Sequence, residues 1–323
     1  MTANEEKIGY VVIGRNEGER LKECLSSLPP AKGRVIYVDS GSTDGSVDAA
    51  CGFGAEVVEL STDRPFTAAR ARNEGVERLV EIAPGAEFVM LVDGDSVLFE
   101  GWPREGAEFL AAHPDVAAVA GRVRERHPEA SLYNRLCEIE WATPAGESIA
   151  CGGIAMMRIA PVREAGGFNA SLGGGEEPEL CLRLRERGWK IWRLGSDMAE
   201  HDAAIMSFGQ WFRRMARGGR AFAEVSDLHR DSPARIWSRE AARALVWAGI
   251  LPASLIAGLL IHPAGFLLLA AYPLQIVRLA MFGRSALPPA AHDHAWLYAI
   301  FMTLAKFAEA KGVASYWFSR GRH

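Results

Sequence analysis

Between Ile8 and Val92 the hydrophobic period of the chain switches repeatedly between that of a strand and that of a helix, and this alternation restricts the fold more than any other feature. Ile8–Ile13 (IGYVVI) and Arg34–Val38 (RVIYV) are short β-branched runs. Between them Leu21, Cys24, Leu25 and Leu28 share one helical face, and Pro29 and Pro30 stop that helix. A turn-rich loop, DSGSTDGS, precedes a helix over about 46–52, and Ala55–Leu60 (AEVVEL) is a third strand. Phe66–Ala83 reads as a helix with Ala69, Val76, Leu79 and Val80 inward, and Phe88–Val92 is a fourth strand. Strands alternating with helices predict a doubly wound, mostly parallel α/β sheet. Further on, Val116–Arg122 and Cys151–Met157 read as strands, Pro161–Ala165 and Pro178–Arg187 as helices. Gly188 ends the last of these.

In such a sheet the loops leaving the carboxyl ends of the strands share one rim. Three of these loops carry polar clusters: Asn16-Glu17 after the first strand, Asp39 to Ser46 after the second, and Asp93 to Ser96 after the fourth. Asp39 and the pair Asp93/Asp95 are therefore expected along one crevice. The stretch FVMLVDGDSVL sets two like charges, one residue apart, at the tip of an apolar run. Either Asp-Gly simply makes a turn, or the two carboxylates hold a hard cation such as Mg²⁺ or Mn²⁺. GRNEGE stands after the first strand, where a dinucleotide-binding GxGxxG would be, and the chain has no GxxxxGK[ST]. Both absences argue against the dinucleotide enzymes and P-loop NTPases.

The charge is uneven along the 323 residues. Ala244–Val277 contains no Asp, Glu, Lys or Arg, which is long for a core helix. His262-Pro263 interrupts it, so a hairpin of two short helices, spanning or re-entrant, is expected over about 244–282. Arg235, Arg239 and Arg243 precede it and Arg278 and Arg284 follow, which places both ends on the cytoplasmic side. Trp296–Phe318 mixes aromatics with Lys306, Glu309 and Lys311 and reads as an interfacial helix over about 295–319; the alternative is that all three helices pack as a soluble helical domain. The division expected is a catalytic domain over 1–230 and membrane-associated helices over 231–323. A net charge of −4 gives no sign of a nucleic-acid partner. Five widely spaced cysteines suggest reduced thiols in the cytosol, with no pair at zinc-site spacing. The polar start MTANEEKIGY does not read as a signal peptide.

Taken together in order, VVIGRNEGERLKECLSSL, VDSGSTDGS, ARARNEG, VDGDS and GGEEPELCLRLRERG, with HDAAIMSFGQWFRRM more loosely, resemble the family 2 glycosyltransferases. These are inverting, nucleotide-sugar-dependent enzymes of the GT-A fold, and the resemblance runs over about 8–222. It implies that Asp39 meets the base or ribose, with Ser40, Ser42 and Asp44 shaping that loop. Arg72 and Asn73 would reach the nucleotide pocket, while Arg70 would lie on a solvated face. Asp93-Gly94-Asp95 would be the DxD motif, with Asp95 on the metal and Asp93 on the ribose or a metal-bound water. Gly94 would let the backbone approach closely.

The same resemblance puts the general base at Glu176-Glu177, where the family usually reads Glu-Asp. Glu177 is the first candidate and Glu176 the second, against a plain acidic first turn favoured by the helix dipole. Gly173 to Gly175 before them suggest a mobile loop. His201 would complete the metal shell, touch the diphosphate or serve only structure. Gln210 and Arg213 would contact acceptor or diphosphate, although Arg214 stands where processive relatives carry Trp. Arg217 and Arg220 would face lipid headgroups. The function implied is transfer of a sugar from a nucleotide-sugar donor, read here as UDP-linked, with Mg²⁺ or Mn²⁺, to a lipid, lipid-linked saccharide or polysaccharide at the cytoplasmic membrane. The alternatives are a polyprenyl-phosphate glycosyltransferase and a non-catalytic, nucleotide-sugar-binding partner of a polysaccharide complex.

Overall fold

The computed structural model describes residues 5–29, 33–282 and 289–321. Pro30 and Arg284, expected to stop the first helix and to flank the hairpin, lie outside the described residues. In chain order the elements begin β1 (Ile8–Gly14), α1 (Glu19–Ser27), β2 (Val35–Asp39), α2 (Ser46–Phe53), β3 (Glu56–Glu59), α3 (Ala68–Ile82) and β4 (Phe88–Asp93). They continue with β5 (Ser96–Leu98), α4 (Trp102–Ala112), β6 (Val116–Glu125), α5 (Leu132–Trp141), β7 (Gly146–Ser148), β8 (Ala155–Arg158), α6 (Ile159–Glu164), α7 (Glu176–Glu186) and β9 (Lys190–His201). Four long helices close the list: α8 (Phe208–Leu228), α9 (Ser238–Ile256), α10 (Ala271–Phe282) and α11 (Ala295–Arg320). Contacts divide the chain into two compact units, Met1–His127 with Thr143–Ala203, and Pro128–Ala142 with Ala204–His323.

The first unit holds one sheet in the order β3-β2-β1-β4-β8-β6-β9-β5, with β7 beside β9. β3, β2, β1 and β4 are all parallel, as the alternation of strands and helices predicts. Past β4 the sheet turns mixed, because β8 runs antiparallel to both β4 and β6. The chain does not reach β8 by a crossover helix from β4. It comes back from β7, which pairs with β9 on the far side, and so enters in the opposite direction. The expected strand over 151–157 accordingly starts late, at Ala155, and its first residues run as irregular backbone.

Phe88 to Val92 are each at most 1% exposed, which fits a strand covered on both faces. Leu21, Cys24 and Leu25 of α1 and Ala69, Val76 and Leu79 of α3 are buried as their spacing predicts. The register then sets the rim. Gly14 at the end of β1 pairs with Asp39 of β2, and its neighbour Ile13 pairs with Asp93 of β4. Asp39 and Asp93 therefore flank the end of β1 from strands about 10 Å apart.

In the second unit, Ser238–Ile261 and Pro263–Met281 are each long and apolar enough to cross a membrane, with mean hydropathies of 2.2 and 1.6. Leu259, Leu260, Ile261, Leu267 and Leu274 all lie exposed on them. The backbone turns at His262, whose Nδ1 accepts from the Ala264 amide at 3.1 Å. The Ser254 hydroxyl donates to the Gly265 carbonyl at 3.0 Å, and Tyr272 donates to the Trp247 carbonyl at 2.8 Å, so the two arms lie against each other. α11 buries Ala299, Thr303, Ala308 and Gly312 along one face and packs on α8.

Gly75 of α3 sits where a Cβ would overlap Val11 Cγ1 of β1 and stand 3.0 Å from Val38 Cγ2 of β2. Alanine gains about 1 kcal/mol of helix propensity over glycine, whereas overpacking a closed core costs about 1–3 kcal/mol. Packing should win. Gly75→Ala is expected to lower the urea midpoint, and the double variant Gly75→Ala/Val11→Ala to recover part of the loss.

Candidate functional site

The rim at the ends of β1, β2 and β4 surrounds a cavity of about 350 Å³ lined by Arg15, Glu17, Ser40, Phe66, Asp93 and Asp95 among others. The two loops from β1 and β2 lace together beside it. The Asn16 amide donates to Ser42 Oγ at 2.9 Å, and the Thr43 amide donates back to Asn16 Oδ1 at 2.7 Å. Asn16 adopts a left-handed φ of 56° to do this. Asp39 is 1% exposed; its Oδ2 accepts from the Gly41 and Ser42 amides and its Oδ1 from the Tyr37 hydroxyl. Its carboxylate therefore shapes the loop. Asp44 Oδ1 accepts from the Ser46 amide at 3.0 Å, at the start of α2. The Ser40 amide donates to Gly14 and ties the second loop to the first strand.

Arg72 ties the β4 tip to α7. It is 4% exposed, and its guanidinium donates to Asp93 Oδ1 at 3.0 Å, to Glu176 Oε1 at 2.5 Å and to the Gly153 carbonyl at 3.3 Å. It also lies over the Phe168 ring, 5.7 Å from the centroid. Asn73, one residue on, makes a two-way bond with the Phe168 backbone, donating at 2.7 Å and accepting at 2.8 Å. Asn73 thus holds the ring that Arg72 lies on. Arg70 departs from the expected solvated face. It is 5% exposed and bonds the Ser61 and Arg64 carbonyls, because the 61–64 loop folds back over that side of α3.

Asp95 faces a different neighbour. Ser96 pairs with His201 across β5 and β9, and this register sets His201 Nε2 3.4 Å from Asp95 Oδ2. Burial pushes the Asp95 carboxyl above the ordinary carboxylate range; His201 opposes that and Asp93 adds to it. Glu17 is raised likewise, by burial first and the Asp95 charge second. Gly94 does allow a close approach, but to β1: its amide donates to the Ile13 carbonyl at 2.8 Å, and a Cβ there would lie 3.1 Å from that same oxygen.

The two glutamates opening α7 diverge. Gly175 before them has φ 79°, which glycine accepts readily. Glu176 turns to Arg72, while Glu177 is 5% exposed and its Oε1 accepts from the Cys151 amide at 2.6 Å. Gln210 and Arg213 belong to the second unit. There Gln210 Oε1 accepts from the Met206 amide and the Ser207 hydroxyl, while Ser207 caps the Gln210 amide, a reciprocal cap at the start of α8. Arg213 is exposed. Arg214 pairs with Glu140 at 2.7 Å. Sequence reasoning passed over Phe66 and Arg15, which form one cavity wall with the guanidinium 5.4 Å from the ring centroid. The available signal was an aromatic just before Thr67, the N-cap of α3.

The model of glycosyl transferase family 2 matches residues 10–163. The chain carries a family 2 glycosyltransferase domain. Its sheet and flanking helices form the GT-A fold, as in the mannosyltransferase PcManGT from Pyrobaculum calidifontis, solved in complex with GDP-Man and Mn²⁺. That structure aligns with a TM-score of 0.63 at 19% identity, over 95% of this chain and 87% of that one. The chain is 28% identical over 246 residues to the pre-mycofactocin glycosyltransferase of Mycobacterium tuberculosis, covering 70% of this chain and 49% of the relative. It therefore spans about half the length of that relative. It is also 25% identical over 269 residues to glycosyltransferase AglE of Haloferax volcanii, covering 78% of this chain and 84% of the other.

The raised Asp95 carboxyl has a stability consequence. Its folded form binds a proton more tightly than its unfolded form, so stability falls as pH rises from the ordinary carboxylate value through the raised one. In protein stripped of divalent cations, Asp95→Asn should therefore raise the melting temperature at pH 7. The gain should shrink toward pH 5, as thermal melts at the two pH values will show.

Proposed function

We propose that this chain is a metal-dependent inverting glycosyltransferase that moves a sugar from a nucleotide-sugar donor, UDP-linked in our reading, to a lipid, lipid-linked saccharide or polysaccharide acceptor. The observation that carries the proposal is the cavity at the β1, β2 and β4 rim, with two aspartates at its edge and an arginine bridging one of them to α7. Asp39, Ser40, Ser42, Asp44, Asn16 and Glu17 build the nucleotide end. Asp95 and His201, 3.4 Å apart, have a separation close to that of adjacent ligands on a small cation, about 3 Å. Carboxylate oxygens suit Mg²⁺ or Mn²⁺ there, with Asp93 alongside, and the imidazole is the better fit to Mn²⁺ of the two. Such a cation, when bound, neutralises the charge that develops on the leaving nucleoside diphosphate.

In the transfer, the acceptor oxygen bonds to the anomeric carbon as the bond from that carbon to the diphosphate breaks. A base takes the acceptor's hydroxyl proton. Glu176 is held by Arg72, which lowers its usefulness as a base. Glu177 has one oxygen, Oε2, without a hydrogen bond among the described residues, and it is the base in our reading. Glu177→Gln should cut turnover roughly 10²–10⁴-fold with donor binding almost unchanged. Asp95→Asn should instead abolish the Mn²⁺-dependent part of UDP binding measured by calorimetry. Unchanged metal-dependent affinity in Asp95→Asn would defeat the metal assignment. Indifference to both glutamates would favour an acceptor that is already an anion, such as a polyprenyl phosphate.

The location we propose is the cytoplasmic membrane face. Support comes from the two apolar helices and from Arg235, Arg239, Arg243 and Arg278 at their ends. Full-length protein should partition with membranes and need detergent, and a truncation ending at Arg235 should not. Full-length chain that stays soluble without detergent at both low and high salt would overturn this location.

A further inference from the structure

Two cysteines far apart in the sequence meet at the start of α7. Cys151 leads toward β8 and Cys181 lies one turn along α7 from Glu177, and both are at most 2% exposed. Their sulfurs are 3.6 Å apart, and both thiols donate to Glu177 Oε1, Cys151 at 3.0 Å and Cys181 at 2.9 Å. The Cys151 amide donates to the same oxygen at 2.6 Å. Three donors therefore converge on one carboxylate oxygen. The other oxygen, Oε2, makes no hydrogen bond among the described residues and is not among the buried atoms left without a partner, so it reaches solvent. Behind this cluster Arg193 of β9 donates to the Cys151 carbonyl at 3.0 Å and to the Gly121 carbonyl at 2.8 Å. It bonds the carbonyl of the same residue whose amide meets Glu177, and its charge acts on Glu177 and Cys151.

We propose that Cys151 and Cys181 are positioning residues, a pair of thiols that grips Glu177 by Oε1 and leaves Oε2 as the oxygen that receives the acceptor's proton. This rests on reading Glu177 as the base. A glutamate side chain has three soft torsions, and ordering them costs side-chain entropy. The thiols meet that cost during folding instead of during each turnover. The grip needs both thiols protonated. The neighbouring Cys181 sulfur pulls Cys151 down, but burial and the Glu177 charge outweigh it and push Cys151 up to about 11. Contact with the Cys151 sulfur, followed by burial, pushes Cys181 up as well. Both thiols therefore stay donors at neutral pH. The grip also gives a reason for glutamate at a place where an aspartate is one methylene shorter: the longer chain reaches the sulfurs.

The test uses the full-length chain in detergent. Turnover is followed with UDP-sugars, Mn²⁺ and a membrane lipid extract as acceptor. Cys181→Ala should lower kcat roughly tenfold, in keeping with the loss of one hydrogen bond to a charged group, while leaving the donor KM unchanged. Cys181→Ser keeps a donor and should restore most of the rate. In a Glu177→Gln background Cys181→Ala should cost nothing further. Infrared S–H stretching bands give a readout independent of substrate: Glu177→Ala should move the bands of the two bonded thiols to higher frequency. Cys151→Ala serves as the second probe if Cys181→Ala folds poorly. Wild-type kcat in both alanine variants, or S–H bands unmoved by Glu177→Ala, overturns the grip. Full activity in Glu177→Gln overturns the base reading itself, so the two failures are distinct.

Discussion

The candidate site depends first on the Arg72 guanidinium. A buried arginine is expensive unless its charge and its donors are both met, and here Asp93, Glu176 and the Gly153 carbonyl meet them together. In doing so it joins three parts of the first unit that the chain order keeps apart: the tip of β4, the entry to β8 and the start of α7. Asn73 and Phe168 support it from the next position on α3. Gly153 is small for the same reason, since a Cβ there would stand 3.1 Å from both Arg72 Nη2 and Asp93 Oδ2. If the guanidinium were removed, Asp93 and Glu176 would both lose the counter-charge they share.

What the sequence made legible was whatever depends on local period. β1 to β4 and their helices follow from patterns of two and of 3.6, and their parallel order from the need to cross over between them. The rim then follows from the fold, which is how Asp39 and Asp93 come to flank the end of β1 although 54 positions separate them in number. The mixed half was not legible, because the direction of β8 depends on where the chain re-enters the sheet and no local pattern records that. Arg70 and Arg72 look alike on the helix and differ only in which loop folds back over them. The Cys151–Cys181 encounter has no spacing signature, since the two residues come from separate elements.

The resemblance implied different tasks for Asp93 and Asp95, the ribose or a metal-bound water for the first and the metal for the second, and the structure gives the two carboxylates different neighbours. Asp93 already has its counter-charge within the protein, in Arg72. Asp95 has His201 Nε2 and the Ser96 hydroxyl each 3.4 Å away, and its charge raises the proton affinity of Glu17 nearby. A group held above its ordinary range by burial and a like charge is one that the fold has left electrostatically unfinished. A small divalent cation at that point would relieve both carboxylates at once, whereas at Asp93 it would compete with a guanidinium already in place. The asymmetry therefore favours Asp95 and His201 over Asp93 as the direct cation ligands. It leaves Asp93 to position Arg72, and through Arg72 the start of the helix that carries both glutamates.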